Sequence, residues 1–160
     1  MPDAPARDAP DLVVLPPVIP LGALALAILL EWLLPLGYLP RPLAPATVVA
    51  GLLLLLGFVG TGVWGALEFR RARTNIDPRK PALVLVDSGP YRITRNPMYL
   101  GFLLLFAGIG LLASLDWSLP LLPLVWFGLD RLVVRREEAY LSARFGAPYD
   151  AFRGRTRRWL

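Results

Sequence analysis

Four apolar stretches alternate with polar links along the chain, and their lengths set the first expectation. A helix needs about 20 mostly apolar residues to cross the hydrocarbon core of a bilayer. The first stretch, 12–36, carries Pro16, Pro17 and Pro20 near its start. Proline is tolerated in a first turn, so a helix is expected over about residues 17–36. The second stretch, 43–67, has no charged residue. The third, 97–115, is also uncharged and carries Gly101, Gly108 and Gly110, which let helices approach closely. The fourth, 117–134, has Pro120 and Pro123 in its first turns and Asp130 and Arg131 near its end. The link at 114–118 is so short that the third and fourth segments are expected to form an antiparallel helical hairpin.

The polar positions orient these segments. The long link, 68–96, carries Arg70, Arg71, Arg73, Arg79, Lys80, Arg92 and Arg95, and the tail from Arg131 onward is equally basic. The first short link has only Arg41 and the second has no basic residue. Because basic residues favour cytoplasmic loops, both termini, the long link and the tail are expected on the cytoplasmic side. The fold class that follows is an all-α integral membrane protein: a four-span helical bundle, its last two spans a hairpin, followed by a cytoplasmic C-terminal helix. Residues 1–11 set Asp3, Asp8 and Asp11 against a single Arg7. They lack the basic start of a secretory signal and read as a disordered lead-in to one domain over 12–160. Within the long link, Leu83-Val-Leu-Val-Asp87 before Ser-Gly-Pro reads as a short extended piece ending in a turn.

Composition removes several chemistries. Apolar residues make up 56% of the chain, against about 45 to 50% in soluble domains. Cysteine and histidine are both absent. Disulfides, thiol nucleophiles, Cys or His zinc sites and His-ligated haem are thereby excluded, and no metal site is expected. The net charge of +5 fits cytoplasmic loops and anionic lipid rather than nucleic acid.

Candidate chemistry gathers in the run from Gly89 to Gly101. Asn96-Pro97 is a good helix start on sequence grounds alone. The same start offers free N–H groups to an anion, with Arg92 and Arg95 adding positive charge beside it. Tyr91 and Tyr99 fit either an interfacial aromatic belt or the walls of a slot for a flat ring, and spacing does not choose between them. If residues 130–145 are helical, Val133, Val134, Tyr140, Leu141 and Phe145 share one apolar face. Glu137 falls inside that face and Glu138 at its edge, while Arg135, Arg136 and Ser142 point away. A carboxylate inside an apolar stripe needs a partner: either an arginine of the long link or the hydroxyls or ammonium of a ligand. Glu31 reads as snorkelling or facing a neighbouring helix, and residues 153–159 as a basic patch on anionic lipid.

Five elements occur in order here: Gly89-Pro-Tyr-Arg92, Arg95-Asn-Pro-Met-Tyr-Leu-Gly101, Glu137-Glu138, Phe145-Gly-Ala-Pro-Tyr149 and Arg158-Trp159. In that combination residues 74–160 resemble the integral membrane methyltransferases, which include isoprenylcysteine carboxyl methyltransferases and phospholipid N-methyltransferases. The resemblance implies an S-adenosylmethionine site at the cytoplasmic ends of the last two spans and the tail. Tyr91, Arg95, Asn96, Pro97, Tyr99 and Gly101 would line one side, Glu137 and Glu138 the other, with Tyr149 closing the pocket. The implied partners are a lipophilic small molecule or lipid as methyl acceptor, and the surrounding membrane lipid. For a carboxylate acceptor Arg95 would orient the oxygen. For an amine, Glu138 or a water would take the proton. The carboxyl-methylating branch often has Arg-His-Pro where this chain has Arg95-Asn96-Pro97, which leaves the acceptor open. An NADPH-dependent membrane reductase and a non-catalytic membrane adaptor are the rival expectations.

Overall fold

The computed structural model describes residues 9–40 and 44–160. The expected lead-in therefore falls largely, and Arg41 wholly, outside the described residues. Among those described there are six α-helices and no strand: α1 (Val18–Leu33), α2 (Pro45–Arg71), α3 (Pro97–Leu112), α4 (Ser118–Leu129), α5 (Arg135–Phe145) and α6 (Ala147–Arg155).

One of these, α2, is long and apolar enough to cross a membrane, with 27 residues and a mean hydropathy of 2.2 over its most apolar window. At the α-helical rise it spans about 40 Å. Only 6% of that window is fully buried: α2 turns one apolar side outward and lays the other on α3. The helices α1 and α3 are shorter than the sequence suggested, at 16 residues each. Leu34 ends α1 because a residue before proline is driven out of helical geometry, and Pro35 follows it. Beyond it Gly37 takes a positive φ of 75°. At the end of α3, Ser114 takes a positive φ and turns the chain toward α4.

The fourth segment departs from expectation in its continuity. No break separates α4 from the tail helix, since a π turn over Asp130–Val134 joins α4 to α5. A π turn admits an extra residue per turn, so a 3.6-residue register carried across it slips. Beyond the turn Glu137 and Glu138 each stand one helical turn after the buried Val133 and Val134, so both acids face inward.

Glycine lets α3 lie close on α2. A Cβ added at Gly108 would come within 3.1 Å of the Gly51 carbonyl, and one at Gly101 within 2.8 Å of Thr61 Oγ1. Helices α1 and α4 pack against α3 around Ala27, Phe106, Leu121, Val125 and Leu129. One end of the bundle is tied by acids. Asp116, fully buried, accepts the N–H groups of Gly37 (2.5 Å) and Leu39 (2.7 Å). Its own N–H donates to Glu31 (2.6 Å). Glu31 thus faces the α3–α4 link and helps to join the two short connections.

The opposite end gathers the N-terminal segment, the 72–96 loop, α5, α6 and the chain's last residues. No strand forms at 83–87; the isolated backbone bridge Thr94–Arg157 joins the loop to the tail instead. The loop turns back through a 3-10 helix at Gly89–Arg92. Gly89 has a φ of +58°, and a Cβ there would sit 2.7 Å from Glu68 Cγ and 2.8 Å from Trp64 Nε1. Backbone strain and overlap act together. Gly89→Ala is expected to cost about 2 kcal/mol or more, read as a lower melting temperature in detergent. An unchanged melt would show that the 3-10 turn is not fixed as described.

Candidate functional site

A cavity of about 540 Å³ opens at this end, between the start of α3, the faces of α5 and α6, the 75–86 stretch and the N-terminal segment. Tyr91, Arg95, Asn96 and Tyr99 line it from the α3 side; Glu137, Glu138 and Tyr149 line it from the tail. Pro97 and Gly101 stand apart from it: Pro97 is fully buried and Gly101 packs against Thr61 and Phe58 of α2. These two shape the helix start and its approach to α2 rather than touching the cavity.

Arg95 and Glu138 are brought together, and they hold each other. The guanidinium donates through Nε (3.0 Å) and Nη2 (2.9 Å) to Glu138 Oε1. Its remaining Nη1 donates to the carbonyls of Arg153 (3.2 Å) and Thr156. Arg158 approaches Glu138 from the other side, donating to Oε2 through Nη2 (2.6 Å) and Nε (3.0 Å). Arg158 also lies 3.6 Å from Asp130, a buried acid that accepts from Arg135 Nε (2.7 Å) and from the Trp159 indole (3.1 Å). Burial acts to raise the Glu138 carboxyl, but hydrogen bonds from Arg158 and Arg95 and their charges outweigh it. Glu138 is thereby held below the ordinary carboxylate value and stays ionised.

Glu137, its neighbour, lives under different physics. It makes no ion pair among the described residues; its Oε1 accepts a 2.5 Å hydrogen bond from the Tyr99 hydroxyl. Burial pushes its carboxyl up to about 7, with the Tyr99 hydrogen bond opposing and the Glu138 charge adding to the rise. Adjacent acids are thus set apart by their surroundings, one held ionised and one poised near neutrality. Tyr91 is buried against Phe69, and burial together with the Glu137 charge raises its hydroxyl, which remains a protonated donor. Tyr149 packs on Phe152, and burial raises its hydroxyl as well.

Asn96 occupies the N-cap position of α3 without making a side-chain cap. Its Nδ2 donates to the Arg158 carbonyl (2.9 Å), and Thr94 Oγ1 donates to the same oxygen (3.0 Å). The backbone N–H of Arg95 donates to the Arg157 carbonyl (2.9 Å). Residues 153–159, expected as a patch on lipid, therefore fold back over the start of α3. Arg155 pairs with Asp87, and Trp159 packs on Trp126.

Several wall residues escaped the sequence reading. Pro10, Leu15, Pro16 and Pro17 cover one side of the cavity, and Arg136 holds this segment by donating to the Asp11 carbonyl (3.0 Å). Prolines before a helix carried no signal of where the segment would lie. Asp130 interrupts an apolar run, which was signal enough to mark it as a buried partner for the tail arginines. Phe69, Met98 and Phe102 supply apolar wall, hidden among many similar residues of their helices.

Neither the curated proteins nor the solved structures give a match to this chain. The family model for phospholipid methyltransferases matches residues 46–148, from the first turn of α2 through α3, α4 and α5 into the start of α6. That stretch takes in Tyr91, Arg95, Asn96, Tyr99, Glu137 and Glu138, and with it the chain belongs to the phospholipid methyltransferase family.

Proposed function

We propose that the protein transfers a methyl group from S-adenosylmethionine to a lipophilic acceptor at a membrane face, with the cavity as the donor site. The observation that carries this reading is the cavity itself, which sets Glu137, Tyr99 and Tyr91 among apolar walls from Phe69, Met98, Phe102 and Leu141. Its size lies in the range of small-molecule sites, about 300–1,000 Å³. The donor set fits the cofactor: a carboxylate for a cationic centre, tyrosine hydroxyls for polar edges, and aromatic and thioether surface for adenine. Bound there, S-adenosylmethionine supplies an electrophilic methyl group on a sulfonium.

The chain's own residues then position the reactants and exclude water. Apolar walls keep the reacting atoms dry, which favours an in-line displacement between held partners. Glu137, near neutrality and hydrogen-bonded to Tyr99, is the acid suited to take a proton from an amine acceptor or to face a cationic group. Glu138 is already committed to two arginines and serves to fix the wall; Arg95, equally committed, ties that wall to the tail. The same proposal places α1, α2, α3 and α4 with its π turn in a bilayer as four spans, with α5, both termini and the cavity on the cytoplasmic side. The outward apolar faces of α1 and α2 and the basic long loop support that placement.

Purified protein is expected to move labelled methyl from S-adenosylmethionine into a lipid extract, and identification of the labelled species names the acceptor. Binding of NADPH with no binding of S-adenosylmethionine would instead sink the methyl-transfer reading.

A further inference from the structure

Six charged side chains line the cavity: Asp77, Glu137 and Glu138, with Arg79, Lys80 and Arg95. Most of them neutralise one another. Arg79 donates to Asp77 through Nε and Nη2, both at 3.0 Å, and Arg95 is taken by Glu138 and the tail carbonyls. Lys80 and Glu137 make no ion pair among the described residues, although the Lys80 charge lies close enough to help hold the Asp77 carboxyl down.

We infer that Lys80 is an anion contact of this cavity, taking a carboxylate or phosphate oxygen of a zwitterionic ligand whose cationic end faces Glu137. The backbone around it is fixed. Lys80 N–H donates to the Asp77 carbonyl (3.0 Å), Asn75 Nδ2 to the Pro81 carbonyl (2.9 Å) and Ala82 N–H to the Tyr140 hydroxyl (3.0 Å). The side chain itself is exposed at the rim. A lysine there is a point charge on a flexible stem, able to follow an anionic group without a rigid geometry. A charge of each sign without an ion-pair partner suits a zwitterion better than a simple anion or cation, because either of the latter would leave one of the two unanswered. Two ligands share that chemistry: the amino-acid end of the methyl donor, which rests on the function proposed above, and the headgroup of a zwitterionic phospholipid.

Calorimetric titration of the full-length protein in detergent separates them. S-adenosylhomocysteine is compared with 5′-methylthioadenosine, which lacks the amino-acid end, and dihexanoyl phosphatidylethanolamine with dihexanoylglycerol. Lys80→Gln is expected to weaken binding of at least one zwitterion by about tenfold or more, the range of a charge-assisted hydrogen bond. Binding of its uncharged counterpart stays unchanged, and Lys80→Arg restores most of the loss. An effect on S-adenosylhomocysteine places the donor's carboxylate at Lys80; an effect on the phospholipid places a phosphate there. If only the phospholipid binds and depends on Lys80, this inference stands while the donor assignment falls. If S-adenosylhomocysteine binds but Lys80→Gln changes neither zwitterion, the donor assignment stands and this inference is overturned, as it also is if the parent binds neither zwitterion.

Discussion

Arg95→Ala is expected to unfold the cavity end of the protein before the helical bundle melts. The substitution removes both hydrogen bonds to Glu138 Oε1 and both donations to the tail carbonyls of Arg153 and Thr156. Glu138 and Arg95 side chains are each about one-tenth exposed in their pair, so the acid left behind is a largely buried charge with only Arg158 to answer it. Breaking one side of such a pair costs about 3 kcal/mol. A melting curve in detergent should show a lower or split transition, and limited proteolysis should cut within residues 153–160 first. Methyl transfer should fall to background. Arg95→Ala combined with Glu138→Leu is expected to recover part of the stability, because no charge is then stranded, while activity stays lost. If Arg95→Ala melts like the parent, the Arg95–Glu138–Arg158 network does not hold this end together.

The same network predicts an acid limit. Glu138 has a folded-state pKa below its ordinary value of 4.5, so its contribution is present above that value and is lost as pH falls through the lower folded one. Arg95→Ala should remove part of that acid sensitivity and leave the part that the Arg158 hydrogen bonds supply.

How much of this arrangement could be read from residues alone depended on whether the cause was local. The uncharged run of α2, the Asn96-Pro97 start of α3 and the glycines of the α2–α3 contact are local facts of composition, and the helices follow them. The gathering of Tyr91, Arg95, Tyr99, Glu137 and Glu138 at one end was legible as an ordered set of motifs. Their pairing was not. Arg158 sits in a run of basic residues whose simplest reading is a solvated patch, and only the chain's return over the start of α3 turns it inward. The π turn over Asp130–Val134 that joins the fourth segment to the tail was not legible either, since no residue in that stretch announces one. The lengths of α1 and α3 were overestimated because apolar residues continue past Leu33 and Leu112, whereas backbone geometry at Leu34 and Ser114 ends the helices.

Glu137→Gln is expected to separate function from stability in opposite directions. With its carboxyl raised to about 7 by burial, Glu137 is largely protonated below neutrality and ionised above it. If it takes a proton from an amine acceptor, kcat of the parent should rise with pH through about 7 and level off beyond, since only the ionised form accepts. The variant should lose that limb and about 100-fold or more in kcat, the usual yield of a positioned general base. Stability runs the other way. The folded state retains a proton that the unfolded chain releases near 4.5, so the parent should lose stability as pH rises from about 4.5 to about 7. The full shift corresponds to about 3 kcal/mol. Glutamine keeps an acceptor for Tyr99 and carries no charge, so Glu137→Gln should melt higher than the parent at pH 8 and alike at pH 4. A variant less stable than the parent at pH 8 would mean that the ionised carboxylate is held by a partner other than Tyr99. A flat parental profile with undiminished turnover in the variant would remove Glu137 from the proton path and leave a carboxylate acceptor, which has no proton to give up, as the substrate consistent with this site.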